Sequence, residues 1–263
     1  MDLKEISQMS PDEEMAHWWI QTRFRYLDRA LQTHPSDKAI DVLEVGCGTC
    51  QNLRYLRTSS PNAAHIGRVA GLDVGFDSTR VDTSWAKPKD WFGSDLEKLP
   101  QNSPGLFDVL VAMDVLEHIE DDFDMLRCWN QKLRPGGLVF ATVPAFPALW
   151  SQHDVLLGHK RRYTRATLEA LAQGAGLKVL RTCYAFSHIF PLVYLIRKLH
   201  PPRPPASEIR ALDGAQETGL KKAPASINAL LRCLGHVEAR FGGNAWFGTS
   251  VIGLFQKPEG THV

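Results

Sequence analysis

The residues best suited to chemistry stand where a short β-branched run, Ile40-Asp41-Val42-Leu43-Glu44-Val45, is stopped at once by Gly46-Cys47-Gly48-Thr49-Cys50. Glycines at a strand-to-helix turn let the backbone close on a ligand and aim the helix N-terminal amides at negative charge. A dinucleotide fingerprint needs a third glycine three residues after the second, and Gln51 occupies that place. The turn therefore suits a ligand without a pyrophosphate better than a nicotinamide dinucleotide. Asp73 closes Gly71-Leu72-Asp73 at the expected end of a second strand. An ionised carboxylate there can accept both hydroxyls of a ribose. Asp95, in Gly93-Ser94-Asp95-Leu96, follows a third strand. Its carboxylate suits an exocyclic amine and Leu96 suits a purine face, although a capping aspartate looks the same in sequence.

A second constellation is polar and dense: Trp150-Ser151-Gln152-His153-Asp154, then Gly158-His159-Lys160-Arg161-Arg162-Tyr163. Arg161 and Arg162 beside Tyr163 suit a carboxylate or phosphate on a substrate. His153 and His118 are the groups able to take a proton near neutral pH. The competing reading is that His159, Arg161 and Arg162 pin this loop to helix ends or acidic loops. Cys47 and Cys50 spell a CxxC, but Cys128, Cys183 and Cys233 supply no second pair, so no metal or redox role is expected.

These residues need a frame. Runs at Val69–Val74, Trp91–Gly93, Phe107–Met113, Leu138–Val143 and Leu177–Tyr184 read as strands, with helical patterns between them. The alternation predicts a parallel α/β sheet. Ser10-Pro11-Asp12-Glu13 opens a helix expected to run to about Thr33, carrying Trp18, Trp19, Phe24 and Tyr26. Ser226 opens an amphipathic helix, and Thr249–Lys257 reads as a last strand. The expected organisation is a helical lid over 1–36, a core over 37–187, a helical insertion over 188–245, and a last strand with tail over 246–263.

The bulk properties bound the partners. The chain has 263 residues and a formal charge of +1, which gives no electrostatic case for nucleic acid. Its start is acidic and polar, and Ile189–Ile196 is interrupted by Pro191 and too short to span a bilayer. A cytoplasmic location is expected. Phe186–Lys198, apolar and then basic, suits a lipid-bearing acceptor or peripheral membrane contact, but a buried helix of the insertion is the preferred reading. Pro201–Pro205 reads as a linker.

Taken together, Glu44-Val45-Gly46-Cys47-Gly48, Asp73, Asp95-Leu96, Ala112-Met113-Asp114-Val115-Leu116-Glu117-His118 and Leu133-Arg134-Pro135-Gly136-Gly137 resemble the class I methyltransferases, in particular the type 11 and type 12 groups. The resemblance implies a Rossmann-like, seven-stranded, mostly parallel sheet with helices on both faces. It implies S-adenosyl-L-methionine as cofactor and S-adenosyl-L-homocysteine as product. Glu44, Gly46, Cys47 and Gly48 would meet the methionine part, Asp73 and Val74 the ribose region, Asp95 and Leu96 the adenine, and Met113 and Asp114 the cofactor through their backbone. Cys50 departs from the pattern, since many members carry glycine there. His159-Lys160-Arg161-Arg162-Tyr163 and His17-Trp18-Trp19 resemble segments of a bacterial subset. On that footing Trp19, Arg23, Arg161 and Arg162 would bind a small-molecule acceptor, anionic or lipid-linked, and His153, His118 and Tyr163 would be catalytic. Aminocarboxypropyl transfer, cyclisation of the cofactor, and a non-catalytic cofactor-binding module remain as alternatives.

Overall fold

The computed structural model describes residues 10–34, 38–79, 81–95, 107–199 and 223–259. Seven strands form one sheet: β1 (Ile40–Val45), β2 (Ile66–Leu72), β3 (Trp91–Gly93), β4 (Phe107–Met113), β5 (Leu133–Pro144), β6 (Lys178–Ala185) and β7 (Ser250–Gln256). Their order across the sheet is β3-β2-β1-β4-β5-β7-β6, and β7 alone runs antiparallel to its neighbours. In β1, Val42 pairs with Val69 on one side and Val109 on the other, and Glu44 with Gly71 and Val111. Both sheet faces are covered, so alternate residues of a strand are buried on opposite sides. Val42, Val109 and Phe140 join one apolar cluster, and Leu43, Leu110 and Val139 join the other. This is why the central strands read as continuous apolar runs rather than alternating ones.

The first face carries α2 (Trp18–Leu31), α3 (Gln51–Thr58) and α8 (Ala225–Phe241); the second carries α4 (Asp122–Gln131) and α6 (Arg165–Gly174). Phe24 of α2 stacks on Tyr55 of α3 at 3.8 Å between centroids, with the planes 3° apart. Each such ring removed from water contributes roughly 1.5–3 kcal/mol. α8 lies close against α2 because Gly235 has no side chain; a Cβ there would overlap Thr22 Oγ1. The two helices are also tied by Tyr26, whose hydroxyl donates to Glu238 at 3.0 Å.

Two expectations change. The single N-terminal helix is two: α1 (Pro11–Met15), closed by a Ser10–Glu13 capping box, and α2, which restarts at an extended His17. His17 Nδ1 accepts from the Trp19 amide, so the break supplies its own cap. The segment preferred as a buried helix of the insertion forms α7 (Phe190–Leu199), but none of its residues is buried. It touches the rest of the protein mainly along one edge and leaves Leu192, Leu195, Ile196 and Leu199 exposed. The Pro201–Pro205 linker lies outside the described residues. No helix among those described is long and apolar enough to cross a membrane.

Candidate functional site

The carboxyl ends of β1, β2, β4 and β5 converge on one edge of the sheet, where an open α/β sheet forms its crevice. Glu44 sits at the end of β1 with only 1% of its surface exposed. One carboxylate oxygen accepts from Asn52 Nδ2 at 2.5 Å, while Oε2 has no partner. Burial pushes its carboxyl from the usual 4.5 up to about 7, against the lowering effect of the Asn52 hydrogen bond. Gly46 follows at φ +66°, and a Cβ there would overlap Val115 Cγ2, so the β1 and β4 loops meet without room for a side chain.

Gly48 (φ +51°) donates its amide to Asp73 Oδ2 at 2.9 Å, and Gly75 donates to Oδ1 at 2.8 Å. These two bonds hold the carboxylate and leave further lone pairs on each oxygen. Val74, next in sequence, is 95% exposed at the mouth. Cys50 adopts φ +61° as the residue before α3. The position where relatives carry glycine thus keeps the left-handed backbone that glycine would favour. Cys47 and Cys50 are both buried with their sulfurs 3.6 Å apart. The hydrogen bond shared with Cys50, and then burial, push the Cys47 thiol far above its ordinary range. Asp95 lies partly buried just past β3, and Leu96 is outside the described residues.

At the end of β4, Met113 is buried and Asp114 takes φ +55°. Asp114 Oδ1 accepts from Thr142 Oγ1 at 3.1 Å, and Oδ2 pairs with Arg23 at 3.0 Å. Arg23 in turn lies 4.2 Å from the Trp19 ring centroid, and Trp19 stacks on Phe186. So α2 does bring Trp19 and Arg23 to the strand ends, with the Arg23 charge used on Asp114.

Beside them opens a cavity of about 150 Å³ whose walls include Trp19, Asp114, Glu117, His118, His153 and His159. Five of the residues singled out in sequence meet here: Trp19, Asp114, His118, His153 and Arg162. Glu117 and His159 were not assigned to the site, although Glu117 adjoins His118 and His159 lies two residues from Arg161. Glu117 is 1% exposed and neither carboxylate oxygen has a hydrogen-bond partner. Burial, and then the charge of Asp114, push its carboxyl well above the usual range. Glu117, His118 and His159 offer ligand atoms within 4.8 Å of one another.

Arg161, Arg162 and Tyr163, expected around the acceptor, each meet partners within the protein, and Arg162 also lines the cavity. Arg162 Nε donates to Asp154 Oδ1 at 2.7 Å and Nη1 to the Ala145 carbonyl at 2.9 Å. Arg161 pairs with Asp122 at 3.0 Å and donates to the Glu120 carbonyl. The Tyr163 hydroxyl donates to Asp122 at 2.7 Å, and burial, then that bond, push its pKa far up. Arg162 is turned inward because α5 (Gln152–Leu157) presents a fully buried Asp154, which also accepts from the Ser151 amide and hydroxyl and from His159. Burial opposes ionisation of Asp154, but the His159 bond and the Arg162 and Arg197 charges outweigh it and hold its carboxyl well below the usual range.

A family model described as a methyltransferase domain matches residues 15–182. The ubiquinone biosynthesis O-methyltransferase of Chromobacterium violaceum is 29% identical over 157 residues, covering 53% of this chain and 62% of the relative. The chain thus spans about three fifths of the length of the curated relatives it matches. Among solved structures, the putative methyltransferase bound to the Haloferax volcanii Trm112 activator aligns with TM-score 0.54 at 20% identity, over 96% of this chain and 94% of that one. The phosphoethanolamine N-methyltransferase 2 of Haemonchus contortus, solved with S-adenosyl-L-methionine, aligns with TM-score 0.54 at 14% identity, over 98% of this chain and 59% of that one.

Proposed function

The chain belongs to the class I S-adenosylmethionine-dependent methyltransferases, and on that premise we propose that it methylates a hydroxyl oxygen of a small acceptor bearing an apolar extension. The cofactor supplies an already activated methyl on a sulfonium, so the protein's task is to align the acceptor and exclude water. Glu44, with its orphaned buried oxygen, meets the ammonium of the cofactor's methionine part. The Gly46–Gly48 backbone would lie along that part, Asp73 would accept the ribose hydroxyls with Val74 beside them, and Asp95 would meet the adenine; Leu96, expected there too, lies outside the described residues. The Met113–Asp114 backbone closes the floor.

The observation that carries the acceptor reading is the cavity beside Asp114, in which His118, His153 and His159 gather at the strand ends. A hydroxyl must lose its proton as it attacks carbon, and imidazole is suited to receive it near neutral pH. The naming of the curated relatives as O-methyltransferases supports the same atom. Arg197 links that cavity to α7, whose exposed Leu192, Leu195, Ile196 and Leu199 offer an apolar track for the rest of the acceptor. The pairing of Arg161 with Asp122 and of Arg162 with Asp154 favours an apolar over an anionic acceptor in this reading.

The test incubates the purified chain with methyl-labelled cofactor and a panel of phenols, catechols and their alkyl or prenyl derivatives. Labelled methyl bonded to the hydroxyl oxygen of a tailed hydroxy compound, with equimolar S-adenosylhomocysteine, is the expected outcome. Methylthioadenosine as product would point to aminocarboxypropyl transfer instead, and label on nitrogen or carbon would sink the oxygen assignment.

A further inference from the structure

We infer that Glu117, His118 and His159 bind one divalent first-row transition-metal ion at the wall of the acceptor cavity. The three come from two segments that the backbone clamps together. Glu117 and His118 lie in the 3-10 turn Leu116–His118 after β4, and His159 follows α5. The Lys160 amide donates to the Glu117 carbonyl at 2.6 Å and fixes one segment against the other. The ligand atoms lie within 4.8 Å of one another, a spacing that small side-chain rotations bring to a common ion. The His118 and His159 rings stand edge to face at 4.7 Å between centroids, near enough to turn their nitrogens to one point.

Two features separate this group from an accidental gathering of side chains. Glu117 is 1% exposed and has no hydrogen-bond partner on either oxygen, which is costly for a carboxylate unless it holds a proton or meets a cation. His159 is oriented from behind: its Nδ1 lies 2.9 Å from Asp154 Oδ1, and Asp154 carries the charges of Arg162 at 2.7 Å and Arg197 at 3.8 Å. An ionised acceptor at Nδ1 requires the proton on that nitrogen, so Nε2 presents its lone pair. A carboxylate behind a ligating imidazole is the usual means of fixing tautomer and ring plane at a metal. Two imidazoles and one carboxylate favour Zn²⁺, Co²⁺ or Fe²⁺ over Mg²⁺ or Ca²⁺. Three protein ligands would leave a coordination position facing the cavity.

No metal is expected from the cysteine spacing, and these ligands contain no cysteine. Existence of the site rests on the side chains alone. Only a use in catalysis, by lowering the pKa of an acceptor hydroxyl, rests on the proposed methyl transfer.

The test strips the full chain with a chelator and measures Zn²⁺ and Co²⁺ uptake by equilibrium dialysis with elemental analysis. About one ion per chain is expected at micromolar free Zn²⁺, with visible Co²⁺ absorption of a low-symmetry site and far weaker uptake of Mg²⁺. Glu117→Gln and His159→Ala should each weaken Zn²⁺ binding by roughly tenfold or more, and His236→Ala, outside the cavity, should leave it unchanged. S-adenosylhomocysteine affinity reports separately that a variant is folded and that the cofactor site is intact. Should Glu117→Gln and His159→Ala fail this control, His118→Ala, at a partly buried ligand, decides in their place. Uptake well below one ion per chain, or wild-type affinity in the folded variants, overturns the inference and leaves the methyltransferase reading untouched.

Discussion

Lowering the pH should weaken cofactor binding through Glu44 alone, by an amount set by its burial. Its carboxyl rests near 7 in the free protein because it is 1% exposed with a single side-chain partner. To meet the cofactor's ammonium it must be ionised, and the ammonium then returns its pKa toward the ordinary range. Each pH unit below 7 therefore costs about 1.4 kcal/mol, or tenfold in affinity, until the pKa of the complex is reached. Between roughly pH 7.5 and 5.5 the ionised fraction falls about 25-fold, and the affinity with it. Calorimetry with S-adenosylhomocysteine in buffers of different ionisation enthalpy should show the uptake curve and a proton release approaching one per site at the acid end. Glu44→Gln should bind more weakly at pH 7.5 and lose the slope. An affinity that changes less than about threefold over this range, or a slope retained in the glutamine variant, refutes the reasoning. The same group sets a sign for stability. The folded, ligand-free protein binds one more proton than the unfolded chain between 4.5 and about 7, so stability should fall as pH rises through that window and level off above it.

Other outcomes follow from named contacts. Gly46→Ala should weaken cofactor binding more than about tenfold, since φ +66° strains alanine and its methyl overlaps Val115; adding Val115→Ala should recover part of the loss, and no recovery would remove the steric account. Asp154→Asn should destabilise the fold by about 3–5 kcal/mol in urea unfolding, because Arg162 is left buried without its counter-charge; a loss under about 1 kcal/mol would show the network to be slack. Hydrogen exchange in α2 should be slow with and without cofactor, because nine of its residues are buried, and fast exchange only in the ligand-free protein would restore a mobile lid. Arg23→Ala should speed that exchange by releasing Asp114.

What could be seen in the sequence was whatever depends on neighbours along the chain. The apolar runs of β1 and β4 marked strands because both faces of a central strand are buried. The glycine turn and Asp73 carried their positions with them, and the structure joins them directly through the Gly48 amide. The acceptor end was less legible, because the meaning of an arginine depends on which carboxylate it meets. Arg162 and Asp154 are eight residues apart, yet only the fold of the intervening loop turns one onto the other. Glu117 was similarly hidden: the pattern Leu-Glu-His does not say that the glutamate is buried and unpartnered. The amphipathic look of α7 did not reveal that its apolar side faces outward, since the same residues would suit a buried helix.

The reversed last strand has a consequence for how the protein is made. β6 pairs with β7 and with no other strand, while β7 also completes the edge of β5. On the ribosome, β1 to β5 can assemble as soon as residue 144 has emerged, but residues 178–185 appear long before 250–256. At about 5–20 residues per second, the intervening chain takes roughly 3–13 seconds to synthesise. Through that interval β5 presents an unpaired edge and β6 has no partner strand, the kind of edge that invites pairing with another chain. A premature stop between residues 185 and 250 would make that exposure permanent.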